Sequence, residues 1–215
     1  MLRKVVPVVV LAGALLTQVP AFSQEETLGS RSEVSVQALG SFVKSTSLNG
    51  VEQSATNSGG VLASYRYFFT RHHGVEVNYG YERNTQNYGL ANGPLGLGTN
   101  AHEISADYVL RFPARRWSPF VLAGAGALVF DPRNVSQSVL SGFLDPGLQG
   151  NASAQTRAAF IYGGGADFKL TSHLFLRAEY RGFVYNSPTY DFSGLSGLDR
   201  TTHRAQPSIG FGYRF

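Results

Sequence analysis

Apolar and polar positions alternate along most of this chain, in segments of about ten residues. A period of two is the signature of a β-strand with one apolar face. Eight segments show it, and the last occupies residues 207–215 (PSIGFGYRF). Residues 120–130 (FVLAGAGALVF) are apolar or small at every position, so the phase of that strand is ambiguous. We assign Phe120, Leu122 and Leu128 to its apolar face.

The connections between these segments alternate in length. Short turns at one end and large polar loops at the other are typical of antiparallel strands in an up-and-down barrel. The short connections are 70–74, 113–118 and 171–173, and the long ones are 44–59, 84–101, 131–156 and 186–203. We therefore predict an all-β fold, an eight-stranded antiparallel up-and-down transmembrane β-barrel.

The bulk of the apolar faces indicates which side of the barrel faces outward. An eight-stranded barrel has an interior just wide enough for side chains or one small ligand. The apolar faces carry many Phe and Tyr rings, and each ring buries roughly 150–250 Å². So many rings do not fit inside. We expect the apolar face to point toward lipid, and not inward as in a lipocalin-like barrel.

The opposite faces of the strands are small and polar, with charged residues at intervals. Five of these charged residues are Arg and six are acidic, so the set is nearly neutral. Buried charges are tolerated when they are paired and hydrogen-bonded. We predict a lumen filled by an ion-pair network instead of an open pore. Its members are Arg66, Glu76, Glu82, Glu103, Asp107, Arg111, Asp167, Arg177, Glu179, Arg181 and Arg214.

Composition and the N-terminus favour an exported membrane protein. Charged residues make up 15%, and the mean hydropathy of -0.09 is too polar for a bundle of membrane helices. Two basic residues precede an apolar run over 5–16 and an A-x-S pattern at 21–23, as in a secretory signal peptide. The run is shorter than the ~20 residues of a membrane anchor. We expect residues 1–23 to be a cleaved signal peptide and 24–215 to form the barrel domain.

Several motifs together resemble a known family. They are the signal peptide, the eight alternating strands, SYRYFFT before a short turn, SPFVLAGAGA in the fifth strand and GFGYRF at the end. They resemble the OmpA-like/OmpX-like eight-stranded outer-membrane β-barrels, including opacity-type surface proteins. The resemblance implies a bacterial outer-membrane location and contact with outer-membrane lipids and lipopolysaccharide.

The resemblance also implies a role for the last strand. In that family the C-terminal strand is the signal read by the barrel-assembly machinery, and its terminal aromatic residue is a main determinant. The matching residues here are Ile209, Phe211, Tyr213 and Phe215. The larger OmpA architecture continues into a peptidoglycan-binding domain, which is not expected here because the sequence stops at Phe215.

The histidines give little support for catalysis or metal binding. Lipid A deacylases among such barrels carry a His-x-Ser pair, and none of the five histidines here is followed two residues later by Ser. His72 and His73 lie in a short turn with no evident third metal ligand, and His173 lies in another. His102 and His203 near the outer rim are the remaining candidates. We expect no catalytic residue, cofactor or metal, and no enzyme activity.

Candidate partners follow from the placement of charge and apolar residues. Basic residues are spaced singly, which argues against nucleic-acid binding. Apolar residues in the loops 131–156 and 186–203 either contact an extracellular ligand or pack over the barrel. Basic residues near the outer rim either meet lipopolysaccharide phosphates or are ordinary solvated charges. They are Lys44, Arg83, Arg133, Arg157 and Arg204.

Three functions remain open at this point. The favoured one is a structural or surface-interaction role, through envelope integrity, loop-mediated adhesion or lipopolysaccharide contact. A small porin-like channel would show a conductance that depends on Arg111 or Glu103. A lipid A-modifying enzyme would change the mass of lipid A in a manner that depends on His102 or His203.

Overall fold

Strands account for nearly all of the chain that the structure describes. The computed structural model describes residues 31–43, 46–48, 51–55, 58–90, 93–133, 154–186 and 201–215. The strands in these ranges are β1 (Ser32–Val43), β2 (Thr46–Leu48), β3 (Val51–Ala55), β4 (Ser58–Phe68), β5 (His73–Leu90), β6 (Gly93–Arg111), β7 (Trp117–Arg133), β8 (Gln155–Lys169), β9 (Leu174–Asn186) and β10 (Thr201–Arg214). Within the same ranges, no helix has the length and apolar character needed to cross a membrane.

Eight of these strands close into a barrel. They follow the order β1-β4-β5-β6-β7-β8-β9-β10, every neighbour is antiparallel, and β10 pairs with β1. At this seam the Ser32 N–H donates to the Phe215 carbonyl at 3.0 Å, and the Phe215 N–H donates to the Ser32 carbonyl at 2.9 Å. The predicted fold class is confirmed. Closure satisfies the backbone groups that an open sheet edge would leave unpaired in lipid.

The short turns lie together at one end of the barrel, which we call the turn end. Two of them have the same construction, although they lie about a hundred residues apart in the sequence. The Thr70 hydroxyl accepts from the His73 N–H at 3.0 Å, and the Thr171 hydroxyl accepts from the Leu174 N–H at 3.0 Å. In both turns a threonine side chain replaces a missing backbone partner. The predicted short turns are confirmed.

The opposite end, which we call the loop end, is more regular than predicted. The described residues of 84–101, which are 84–90 and 93–101, form a strand pair instead of a loop, because β5 and β6 pair up to Leu90 and Gly93. Within 44–59, β2 and β3 extend the sheet, and β3 pairs with β5. The barrel strands therefore run from 11 to 19 residues. The alternation marks only the membrane-crossing part, since polar residues can continue a strand into water. Residues 134–153 and 187–200 lie outside the described residues.

The outward faces of the strands form an apolar surface. Val36, Ile104 and Phe211 are among the exposed apolar residues. Aromatic rings gather in a band around the turn end, where such rings mark the boundary of a membrane. The ring pairs in this band are Phe69 with Tyr108, Trp117 with Phe168, and Tyr213 with His173 and Phe215.

The phase that we assigned to β7 is wrong. Phe120, Leu122 and Leu128 point into the barrel with exposed fractions of 2%, 4% and 1%, while Val121 points outward at 51%. Both faces of β7 are apolar or small, so only the neighbouring strands set its register. The ring of Phe120 lies where a Cβ on Gly165 of β8 would approach it to 2.8 Å, so this glycine makes room for the ring.

Candidate functional site

The inward faces of the barrel strands carry the charged side chains of the molecule's interior. All eleven residues that we assigned to the lumen point inward, and all are buried except Arg214, which is half-buried. The structure adds two buried members that our set lacked, Glu33 on β1 and Arg204 on β10. In the sequence, Glu33 shares the polar phase of Ser35 and Gln37, so the same period of two contained the signal for it.

Glu33 gathers three arginines near the turn end. Its Oε1 lies 2.6 Å from Nη1 of Arg111 and 2.7 Å from Nε of Arg214. Its Oε2 lies 2.9 Å from Nη2 of Arg177. One carboxylate on β1 therefore joins side chains from β6, β9 and β10 across the bore.

Arg177 contacts two further carboxylates besides Glu33. Its Nε lies 2.7 Å from Asp167 Oδ1, and its Nη1 lies 3.2 Å from Glu76 Oε2. Arg66 approaches the same Glu76 oxygen to 2.6 Å and lies 3.8 Å from Glu179. Because these charges are excluded from water, each depends on its partners for stabilisation.

Glu103 connects the charges nearer the loop end. It pairs with Arg181 through one oxygen and with Arg204 at 3.0 Å through the other. Arg204 also lies 2.9 Å from Glu82, and Arg181 lies 2.7 Å from Asp107. These contacts link β5, β6, β9 and β10.

Aromatic rings lie between the arginines, a feature that our description of the lumen as small and polar missed. The Arg111 guanidinium lies 3.5 Å from the centroid of Phe68, and that of Arg66 lies 4.1 Å from the centroid of Phe120. A cation over a ring face is favourable, and more so without water. The other stacked pairs include Arg204 with Phe183, and Arg177 and Arg214 with Phe175. Three of these rings could have been predicted from the sequence, because residues two apart on a strand share a face. Each lies two residues from a lumen arginine, and they are Phe68, Phe175 and Phe183.

A group of buried apolar side chains lies beside the charged network in the bore, and one of them, Leu128, pairs in register with Glu103. The group comes from β1, β4, β7 and β8. Its members are Leu39, Leu62, Leu128, Phe130, Ala159 and Ile161. Charged and apolar side chains together occupy the bore along the described strands.

The outer-rim set of basic residues is not a single cluster. Arg204 faces inward and is paired with Glu82 and Glu103, so its placement at the outer rim is wrong, and it is neither a lipopolysaccharide contact nor a solvated charge. Arg157 pairs in register with the buried Leu128 and is half-buried. Arg83 is exposed and donates from Nε to the Tyr81 hydroxyl at 2.8 Å. The side chains of Lys44 and Arg133 lie outside the described residues.

The histidines occupy separate positions. His72 Nδ1 lies 3.0 Å from the Arg111 carbonyl, and His73 contacts the Tyr108 hydroxyl. His102 lies on β6 with its Nδ1 at 2.9 Å from the Tyr79 hydroxyl, while His203 is exposed on β10. Both histidines lie on the outward phase of their strands, and β6 and β10 are not neighbours in the barrel, so these two histidines do not share a site. The described residues contain no group of three or more His, Cys, Asp or Glu able to hold a metal ion.

The four residues that we assigned to a C-terminal assembly signal form one exposed stripe. Ile209, Phe211, Tyr213 and Phe215 all point away from the bore on the outer surface of β10 and its end. The backbone of this strand is paired on both sides, with β1 and β9. The stripe therefore presents side chains, and not a free strand edge, to the surroundings.

A closed, outwardly apolar barrel with a charged interior defines a class of membrane protein, the outer-membrane β-barrels. The family model of the outer membrane protein beta-barrel domain matches residues 9–215. The chain belongs to this family, and the family places it in the bacterial outer membrane. None of the curated proteins matches the chain.

Solved structures share the fold at low sequence identity. The outer membrane protein OprG from Pseudomonas aeruginosa aligns with a TM-score of 0.61 and 15% identity over 87% of this chain and 96% of its own. Neisserial surface protein A aligns with a TM-score of 0.55 and 16% identity over 85% and 97%. Ail of Yersinia pestis, solved with the heparin analogue sucrose octasulfate, aligns with a TM-score of 0.53 and 19% identity over 87% and 100%.

Proposed function

We propose that this protein is a non-conducting, non-enzymatic barrel with a structural or surface-interaction role in the outer membrane. The observation that carries the proposal is the occupied bore, in which ion-paired arginines, stacked rings and buried apolar side chains lie together. A barrel so filled supplies a rigid support for its loops and offers no wide water path. The same proposal includes two contacts. The exposed Arg83 contacts lipopolysaccharide, and the loops contact an extracellular ligand.

Two measurements test this proposal. Folded protein, verified by its heat-modifiable migration on gels, is expected to leave planar bilayers silent. A strain that lacks the protein is expected to become more sensitive to detergents or to lose surface attachment, and the plasmid-borne gene should restore either property.

Discrete conductance steps that change with Glu103→Gln or Arg111→Gln would instead support the small channel. An altered mass of lipid A when the protein is expressed would instead support a lipid A-modifying enzyme.

We also propose that residues 1–23 are removed on export and that the stripe on β10 is read by the barrel-assembly machinery. The first part is checked by N-terminal sequencing of outer-membrane material, which should begin at Gln24. Support for the second part comes from the outward, alternating placement of Ile209, Phe211, Tyr213 and Phe215, which leaves the four side chains outside the packed bore.

Replacing Phe215 by serine is expected to reduce assembly in cells several-fold. Refolding of the purified variant into detergent or vesicles should change little, because the backbone bonds between Phe215 and Ser32 do not involve the ring. The measurement compares heat-modifiable protein in outer membranes with refolding yield in vitro. Phe112→Ser is the matched control, since Phe112 is also exposed near the turn end. Equal loss in the two variants would remove the assembly role.

A further inference from the structure

We propose that the turn end of the barrel binds the phosphate of an anionic phospholipid from the periplasmic leaflet of the outer membrane. The short turns of such barrels face the periplasm. The site is a cavity of about 560 Å³ at the mouth of the bore, with walls formed by the three short turns and by the ends of adjoining strands. It lies at the opposite end from the loops, so it does not depend on the surface role proposed above.

Basic side chains dominate the wall of this cavity. Arg111 and Arg214 reach it from inside the bore, and Asp167 is the one acidic residue that the described chain contributes to the wall. Five further basic residues come from the turns and strand ends, namely Arg31, Arg71, Arg115, Arg116 and Lys169. These five side chains are exposed and form no ion pair with any described residue. The wall therefore carries a large excess of positive charge.

The nearby carboxylates are already engaged and do not neutralise this excess. Glu33, below the cavity, is shared by Arg111, Arg177 and Arg214. Asp167 is held at 2.7 Å by Arg177. A concave surface of one charge, with five exposed basic side chains on it, attracts and holds an anion.

The path from this cavity to the membrane favours a lipid as the source of the anion. Arg115 and Arg116 also line a second, more open cavity of about 540 Å³, together with Ala114 and Trp117. Trp117 is exposed and packs on Phe168 with ring centroids 4.8 Å apart, within the aromatic band. The basic surface thus continues from the mouth of the bore to the lipid boundary. A headgroup phosphate can enter sideways while its acyl chains remain in the bilayer. Guanidinium groups suit this role because their fixed donors match phosphate oxygens.

The single tryptophan of the chain reports directly on this site. The full-length barrel is placed in nanodiscs that contain phosphatidylcholine and phosphatidylglycerol, one of them brominated near the headgroup. Brominated phosphatidylglycerol is expected to quench Trp117 more strongly than brominated phosphatidylcholine does. The ratio of the two quenching efficiencies gives the preference for the anionic lipid. In R115Q/R116Q that preference should fall about tenfold, because each basic residue near an anionic headgroup contributes to the attraction.

Controls make each outcome decisive. D131N removes an exposed charge at the loop end of β7 and should keep the preference of the unchanged protein. K169Q provides a second test within the cavity wall if the double variant does not fold, as judged by heat-modifiable migration. Equal quenching by the two lipids, or an unchanged preference in R115Q/R116Q and K169Q, would overturn the proposal. Inorganic phosphate, titrated at constant ionic strength, should compete with the headgroup and lower the preference, and a preference that saturating phosphate leaves unchanged would show that the site does not hold the phosphate group.

Discussion

Replacing Arg177 by methionine is expected to destabilise the folded barrel by about 3–5 kcal/mol, which is the range for breaking one side of a buried ion pair. Arg177 is almost fully buried and lies within 3.2 Å of three carboxylates, on Glu33, Asp167 and Glu76. Methionine preserves much of the volume but leaves those carboxylates with fewer cations in a region without water. The free energy of unfolding can be measured by urea titration of vesicle-inserted protein, with Trp117 fluorescence as the signal.

The companion variants separate charge from packing. Asp167 loses most on this change, because its other arginines lie at 3.7 Å and 3.9 Å. The double variant Arg177→Met/Asp167→Asn should therefore recover part of the lost stability. Arg83→Met, which removes an exposed arginine, should cost at most ~0.5 kcal/mol. A loss below ~1 kcal/mol for Arg177→Met would mean that the lumen charges contribute little to folding.

Much of the fold follows from the sequence because a membrane barrel repeats one rule along every strand. Lipid tolerates only apolar side chains, so the outward face is uniform, and Val36, Ile104 and Phe211 could be placed without knowledge of their neighbours. The rule fails in β7, where the inward face is apolar as well. There Phe120 points inward, where Gly165 on β8 leaves space for its ring, and such information lies on another strand.

The membership of the lumen is easier to predict than its pairings. Period two places Arg177, Glu33 and Glu103 inside, but it does not indicate which of them meet. Arg177 and Glu33 lie on strands separated by β10, and Arg181 and Glu103 lie on strands separated by β7 and β8. These contacts cross the bore and depend on the stagger between strands. Arg204 was assigned to the rim for a related reason, since β10 begins at Thr201 and includes residues that we had assigned to a loop.

Replacing Val36 by arginine is expected to destabilise the inserted barrel by about 2–4 kcal/mol, the depth-dependent range for a cation on the lipid face of a barrel. Val36 lies in β1 with 65% of its surface exposed on the apolar outer side, so the new charge would face hydrocarbon. The measurement is the same urea titration in vesicles, in parallel with Val36→Ala, which removes side-chain contacts but adds no charge and should cost much less.

A depth control completes the test of which face meets lipid. Leu170 lies in a turn at the membrane boundary and is also exposed, so Leu170→Arg should cost only ~0–1 kcal/mol. If Val36→Arg were no more costly than Val36→Ala and Leu170→Arg, the outer face would be in contact with water. In water the hydrophobic effect would place the apolar side chains inside the barrel and the arginines outside, which is the opposite of the arrangement in this structure. The ranking of these three variants therefore tests the orientation of every strand at once.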